Sequence, residues 1–386
     1  MDRHYDAIVI GLGVMGSSAA WRLARNGQRV LALEQFELDH RNGSSYGSSR
    51  IIRYAYDHPA YIPLAHSAYT LWRELEAESG DQLLRIVGGL DFGAADEDSL
   101  IATRDVLAES DMPYDWLTPA EVSARFPQFR LDEHMMGLYQ PDGGALHASR
   151  CVAAAARMAL QHGATLQTGA RVTAIEAHSD SVTVRTADES FSAARLVISA
   201  GGWSGPLLRT LGLELPLQPT REQLFFFDTQ DPEAFLPGRM PYFREHGSRH
   251  ELNSLLHFYG IPNIDGCGFK ASIHTNGEPT DPDNTLRSVD ESVCETLRAF
   301  FRRHLPLADS PLKTGRVCLY TMTPDEHFIM DRHPEHGHIA IGAGFSGHGF
   351  KFGAAIGKIL ADLVSRGETD LDISLFALSR FATNGN

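Results

Sequence analysis

Nowhere in the 386 residues does an apolar run approach the ~20 residues that a membrane-spanning helix needs. Positive charge is scarce too. Lys and Arg number 34 against 49 Asp and Glu, and the formal net charge of -15 argues against nucleic acid, whose phosphates need a basic face. It leaves room for a local basic pocket. Cysteine is sparse and scattered: Cys151, Cys267, Cys294 and Cys318 form no C-x-x-C pair, so neither a disulfide framework nor a zinc ribbon is indicated. Any cysteine that matters acts singly. The histidines of "DRHPEHGH" lack the H-E-x-x-H spacing, and Pro334 breaks the helix such a site needs, so no metal is expected. G-x-S-x-G is missing as well, since neither "GFSGH" nor "GGWSGP" completes it, which argues against a serine hydrolase. No internal repeat or low-complexity tract is present. The opening "MDRHYDAIVIGLG" enters a strand pattern without a charged and then apolar leader, and "FATNGN" is neither a peroxisomal nor a lipidation signal. The expectation is a cytoplasmic protein.

What the chain does have is length and clear periodicity. It exceeds one compact core of roughly 150 residues, so two or three domain-sized units are expected. Tyr5 to Ile10 is an apolar β-rich run, Gly11 to Gly16 a glycine turn, Ser17 to Arg25 an apolar-periodic helix closed by Asn26-Gly27, and Arg29 to Leu33 a second strand. That is a β-α-β unit. Ser149 to Leu166 reads as a helix entering a strand, and the alternating stretch that follows breaks at Ser179-Asp180 and Ala187-Asp188 into a three-strand meander. From about Leu217 to Val317, frequent prolines and short strands suit a second domain on an antiparallel sheet. Strand, glycine turn and helix return after Gly337.

"GLGVMG" is G-x-G-x-x-G at Gly11, Gly13 and Gly16, placed between a strand and a helix, with Glu34 closing the next strand 18 positions on. Gly11 makes the tight turn, Gly13 lets a pyrophosphate approach the helix N-terminus, Gly16 allows close packing, and Glu34 accepts ribose hydroxyls. A dinucleotide is expected; the motif itself leaves NAD and FAD open. Two further strand-to-glycine elements, Leu196 to Ser204 and Ile341 to Lys351, favour FAD. The second gathers backbone donors and Lys351 at one point, which suits a flavin edge that becomes anionic on reduction. Cys318, in the alternating run Arg316 to Thr321, reads by pattern alone as a buried core cysteine.

On "GLGVMG" with Glu34, "HRNGSSYGSSRIIRYAY", "GWSGPLL", "GCGFKASIHT", "GRVCLYTMTPDEHFIMDRHPEH" and "GAGFSGHGFKF", nearly the whole chain resembles the monomeric sarcosine oxidase family. That family includes N-methyltryptophan and L-pipecolate oxidases, within the glycine oxidase/D-amino-acid oxidase class of flavoproteins. The resemblance implies a mixed α/β (α+β) fold in which a Rossmann-like FAD-binding domain (1–85, 147–216 and 319–386) interleaves with a substrate domain on a mainly antiparallel sheet (86–146 and 217–318). It also implies oxidation of the C–N bond of a secondary amino acid to an imine, with dioxygen as acceptor, hydrogen peroxide as co-product, and a monomeric enzyme. Cys318 matches the covalent flavin anchor and Lys270 the oxygen-activating lysine. Arg53 and Lys351 match the pair on the substrate carboxylate, Arg50 the arginine beside the flavin, Tyr259 the substrate aromatic and His274 the pocket histidine, with Gly347 also toward the substrate. Implied cofactor contacts are Gly11, Gly13, Met15, Gly16, Glu34, Ser44, Ser45, Ser49 and Arg50. Further along the chain they are Val172, Gly201, Trp203, Cys318, Gly344, Gly347, His348, Gly349 and Lys351.

Two departures bear on substrate. Tyr46 stands where a flavin-proximal histidine is usual, and Tyr242 to Gly260 is longer and more charged than the family's hairpin. "LEQFELDHRNGSS" leans toward pipecolate oxidase, which keeps cyclic secondary amino acids open. The rival readings are a flavin dehydrogenase with another acceptor, a non-covalent glycine or D-amino-acid oxidase type, and a non-catalytic flavin-binding subunit.

Overall fold

The computed structural model describes residues 4–247, 256–275 and 277–381; residues 248–255 of the charged Tyr242 to Gly260 segment and the last five of the C-terminus lie outside them. The N-terminal unit forms as the sequence predicts. Strands His4–Ile10 and Val30–Leu33 run parallel around the crossover helix Val14–Arg25, with Ala7 opposite Val30. On the other side of His4–Ile10 lies Ser190–Ile198, also parallel, and beside that Ile339–Ala343. Three distant stretches of sequence therefore end side by side in one eight-stranded sheet, and each continues into a glycine turn, at Gly11, Gly201 and Gly344. Ligands of open α/β sheets bind at such strand ends. Both faces are buried, which is why these strands read as continuous apolar runs. Val9, Val30 and Ala340 pack with the helices on one face, and Ile8, Leu31 and Ile341 pack on the other.

Gly16 shows how tightly the turn is built. A Cβ there would lie 1.8 Å from the Gly11 carbonyl oxygen, a backbone atom that cannot yield. Gly16→Ala is therefore expected to destabilise the protein by about 3 kcal/mol, read as a lowered Tm together with weakened retention of the expected dinucleotide.

The second sheet has nine strands, antiparallel except where Tyr242–Glu245 runs parallel to Gly89–Ala94. Alternation divides it into two faces. Phe225, Phe227, Phe243, Phe269 and Ile273 pack against Leu297, Phe300 and Phe301 of the helix Glu291–His304. The alternate residues Leu224, Arg244, Tyr259, Lys270 and His274 line a cleft instead. A small third sheet, in which Ser49–Ile52 pairs with Gly144–His147, delivers Arg50 and Arg53 to the same cleft.

Candidate active site

One continuous cleft runs from the glycine turn of the first sheet to the polar face of the second. Every residue predicted for the site lines it except Gly16, which packs on the Gly11 carbonyl, and Ser49, whose carbonyl accepts from Lys270 behind the wall. At the nucleotide end, Gly13 caps a 12-residue helix whose first turn carries no acid, and the Val14 amide meets Ser45 Oγ at 3.1 Å. The positive end of that helix is thus open to an anion. Glu34 accepts from the Leu12 amide at 2.8 Å and the Phe36 amide at 3.1 Å. Burial pushes its carboxyl up, but His40 and the Leu12 amide outweigh that and leave it below the usual range. An ionised carboxylate, a tight glycine turn and an uncompensated helix N-terminus fit the ribose and diphosphate of FAD. Trp203 is fixed beside them by its Nε1–H donating to Asp283 at 2.8 Å.

Toward the middle of the cleft stands Cys318, on the strand Leu312–Met322, opposite Glu222 and 3% exposed. The loop before Arg50 clips this strand in place. Ser44 Oγ donates to the Leu319 carbonyl and Tyr46 Oη to the Val317 carbonyl, one on each side of the cysteine. Burial raises the thiol to about 11, opposed by Arg50 and Lys270. Lys270 is 2% exposed and donates to the Ser49 carbonyl at 2.8 Å. Arg50 donates to the carbonyls of Ser44, Tyr46 and Ser49, so its guanidinium holds the loop as well as facing the cleft.

At the far end Lys351 and Arg53 share one aromatic ring. Arg53 Cζ lies 4.0 Å over Tyr56, and Lys351 Nζ donates to Tyr56 Oη at 2.9 Å and to the His348 carbonyl. Tyr56 Oη is also 3.1 Å from His348 Nδ1, while His348 Nε2 faces the Glu326 carbonyl at 3.0 Å. With Lys351 donating to the tyrosine oxygen, the phenol donates to Nδ1 and the imidazole proton sits on Nε2. His348 is therefore neutral: burial first, then Lys351, pull its pKa well below the ordinary value. Lys351 is pulled down likewise, by burial and then by Arg53 and Arg244. Arg53 Nη1 is buried with no hydrogen-bond partner among the described residues. A carboxylate between Arg53 and Lys351 would satisfy all of this. Gly347, at φ +77, completes the pocket, since a Cβ there would sit 2.1 Å from the Tyr320 ring. Tyr320 in turn faces His274 Nδ1 at 3.3 Å, and His274 is held neutral by burial and by Arg244.

Residues 6–363 match the family described as DAO, FAD dependent oxidoreductase. The chain belongs to that family. Within it the chain falls with the monomeric sarcosine oxidases: it is 38% identical to the enzyme of Bacillus sp. (strain B-0618), over 98% of this chain and 97% of the relative. It is 37% identical to the peroxisomal sarcosine oxidase of Homo sapiens, over 99% and 97%. The open form of NikD, an unusual amino acid oxidase essential for nikkomycin biosynthesis, has the same fold, with a TM-score of 0.85 at 27% identity over 97% of each chain. Among the described residues no helix is long and apolar enough to cross a membrane.

This DAO-family flavoprotein also uses residues that the sequence reading missed. Tyr46, singled out in the sequence only as a departure, clips the strand of Cys318 through its hydroxyl, Tyr56 organises the cations of Arg53 and Lys351, and Arg244 and Tyr320 line the cleft. Tyr56 had a legible signal, three residues after Arg53 in "RYAY". Arg244 did not, because only the register of Tyr242–Glu245 decides which face it takes. The histidines of "DRHPEHGH" serve the backbone: His333 Nε2 meets the Leu211 carbonyl and His338 Nε2 the Ser181 carbonyl.

Proposed function

We propose that this FAD-dependent enzyme oxidises the C–N bond of a secondary amino acid to an imine, with Cys318 as covalent anchor of the flavin. The observation that carries the reading is the placement of the Arg53–Tyr56–Lys351 carboxylate clamp in one cleft with Lys270 and Cys318. When bound, FAD would supply a two-electron acceptor for the substrate and a route for those electrons to dioxygen, with hydrogen peroxide as co-product. The chain's own residues do the rest. Arg53 offers a planar fork and Lys351 a point charge to the α-carboxylate. Their positive field, in a cleft shielded from water, lowers the pKa of the substrate amine so that it is bound neutral. His274 and His348, both neutral, present polar edges without adding charge. Tyr259 would border the substrate, and Arg50 holds the Ser44 to Ser49 loop that would help to hold the flavin.

In this assignment residues 1–85, 147–216 and 319–386 carry the flavin, residues 86–146 and 217–318 the substrate, and the enzyme works as a monomer. The test pairs anaerobic flavin reduction with peroxide release, for N-methyl and cyclic amino acids against their primary counterparts. Bleaching and peroxide from the secondary amines, at least about 10-fold faster than from the primary ones, is the expected result. Bleaching without peroxide would identify a dehydrogenase, and preference for primary amines would overturn the substrate class.

A further inference from the structure

The polar face of the second sheet carries one cation more than an α-carboxylate needs. Arg244 sits opposite Asp91 on one neighbouring strand and Tyr259 on the other, and lines the cleft with Arg53 and Lys351. The pleat sends its neighbour Phe243 to the apolar face. Of the acids lining the cleft, Glu34 and Asp39 belong to the nucleotide end, and Glu245 follows Arg244 on its strand. Behind Arg244 lies Asp91, 1% exposed, whose Oδ2 takes Arg244 Nη1 at 3.3 Å and His246 Nε2 at 3.2 Å. Asp91 therefore fixes the guanidinium through Nη1, and no described residue accepts from Nη2 or Nε. Among the described residues Asp91 is the acid that bonds to Arg244, and an α-carboxylate would answer Arg53 and Lys351. The remaining donors of Arg244 are without an acceptor there, an arrangement that is costly in a desolvated site unless a ligand answers them.

We propose that the substrate carries a second carboxylate on its side chain, as in an N-alkylated aspartate or glutamate, and that Arg244 receives it through its unused fork. This rests on the secondary-amino-acid reading above and narrows it to acidic members of that class. Arg244 is the specificity-determining residue, and Asp91 and Tyr259 are its positioning neighbours.

The experiment compares ligands that differ only in the distal charge, using the FAD-loaded enzyme. Turnover of N-methylglutamate should exceed that of N-methylglutamine in kcat/KM by at least about 10-fold, the size expected of one charge-assisted contact. Glutarate should likewise perturb the flavin spectrum at about 10-fold lower concentration than butyrate. Arg244→Met should abolish both preferences, mainly through KM. Because that variant strands Asp91, Arg244→Met/Asp91→Asn is the control that removes both charges together, and the wild-type comparison needs no variant at all.

Equal use of acid and amide by the wild type, or equal loss of both in the variants, overturns the assignment. Turnover of neutral N-methyl amino acids without an acidic preference does so while leaving the secondary-amine reading intact. A retained glutarate preference with no N-methyl amino acid oxidised supports Arg244 as a carboxylate site and overturns the secondary-amine reading instead.

Discussion

Lys270→Met is expected to slow reoxidation of the reduced enzyme by dioxygen by about 10²–10³-fold, the loss typical of removing one preorganised donor from developing negative charge. Reduction by substrate should change by less than about threefold, since the carboxylate site proposed above lies elsewhere, at Arg53 and Lys351. The physical basis is the lysine's confinement. The residue is 2% exposed, its ammonium donates to the Ser49 carbonyl, and the charged form is disfavoured first by burial and then by Arg50. Such a cation gains most when an anion forms beside it, as happens when dioxygen takes up the first electron. The sign in pH follows. A lysine whose pKa is lowered gives up its proton as pH rises, so the wild-type oxygen reaction should slow with rising pH. That limb should be flat in Lys270→Met. Stopped-flow traces of the two half-reactions separate these effects, and equal slowing of both would place Lys270 in the structure of the cleft rather than in its oxygen chemistry.

What could be read from the sequence divides along the range of the interactions involved. The β-α-β unit was legible because its signals are local: an apolar run, a glycine turn with fixed spacing, and Glu34 at the next strand end. The meander from Ala174 to Ile198 was legible from its period of two. Family resemblance, rather than periodicity, picked out Cys318, Lys270 and Arg53, since each lies in a stretch that also reads as ordinary strand. Resemblance placed Ser44 at the cofactor and marked Tyr46 as a departure, but neither route gave the bonds their hydroxyls make, and neither reached Arg244. These depend on contacts across more than 150 residues, Arg244 with Asp91 and Ser44 and Tyr46 with the backbone beside Cys318. Register decides such contacts, and a one-residue slip would have sent Arg244 to the phenylalanine face.

Cys318→Ala should release all the flavin on acid precipitation, leaving a colourless pellet and a protein mass without an FAD adduct. The wild type should give a yellow pellet, a mass greater by one FAD, and the adduct on the peptide that holds Cys318. The fold is expected to persist, because the strand is positioned by hydroxyls bonded to the carbonyls of Val317 and Leu319, and none of these bonds involves the sulfur. Losing a small buried side chain beside Tyr46, Leu224 and Phe226 should lower stability by about 1–2 kcal/mol. Cys267 is the informative control. It packs at the edge of the same cluster but does not line the cleft, whereas Cys318 does. Proximity to the cluster alone would allow either cysteine to be labelled; access to the cleft allows only Cys318. An adduct on the Cys267 peptide, or acid-extractable flavin in the wild type, would return Cys318 to a packing role. The raised pKa of its thiol would then be the ordinary consequence of burial, uncorrected by any bound group.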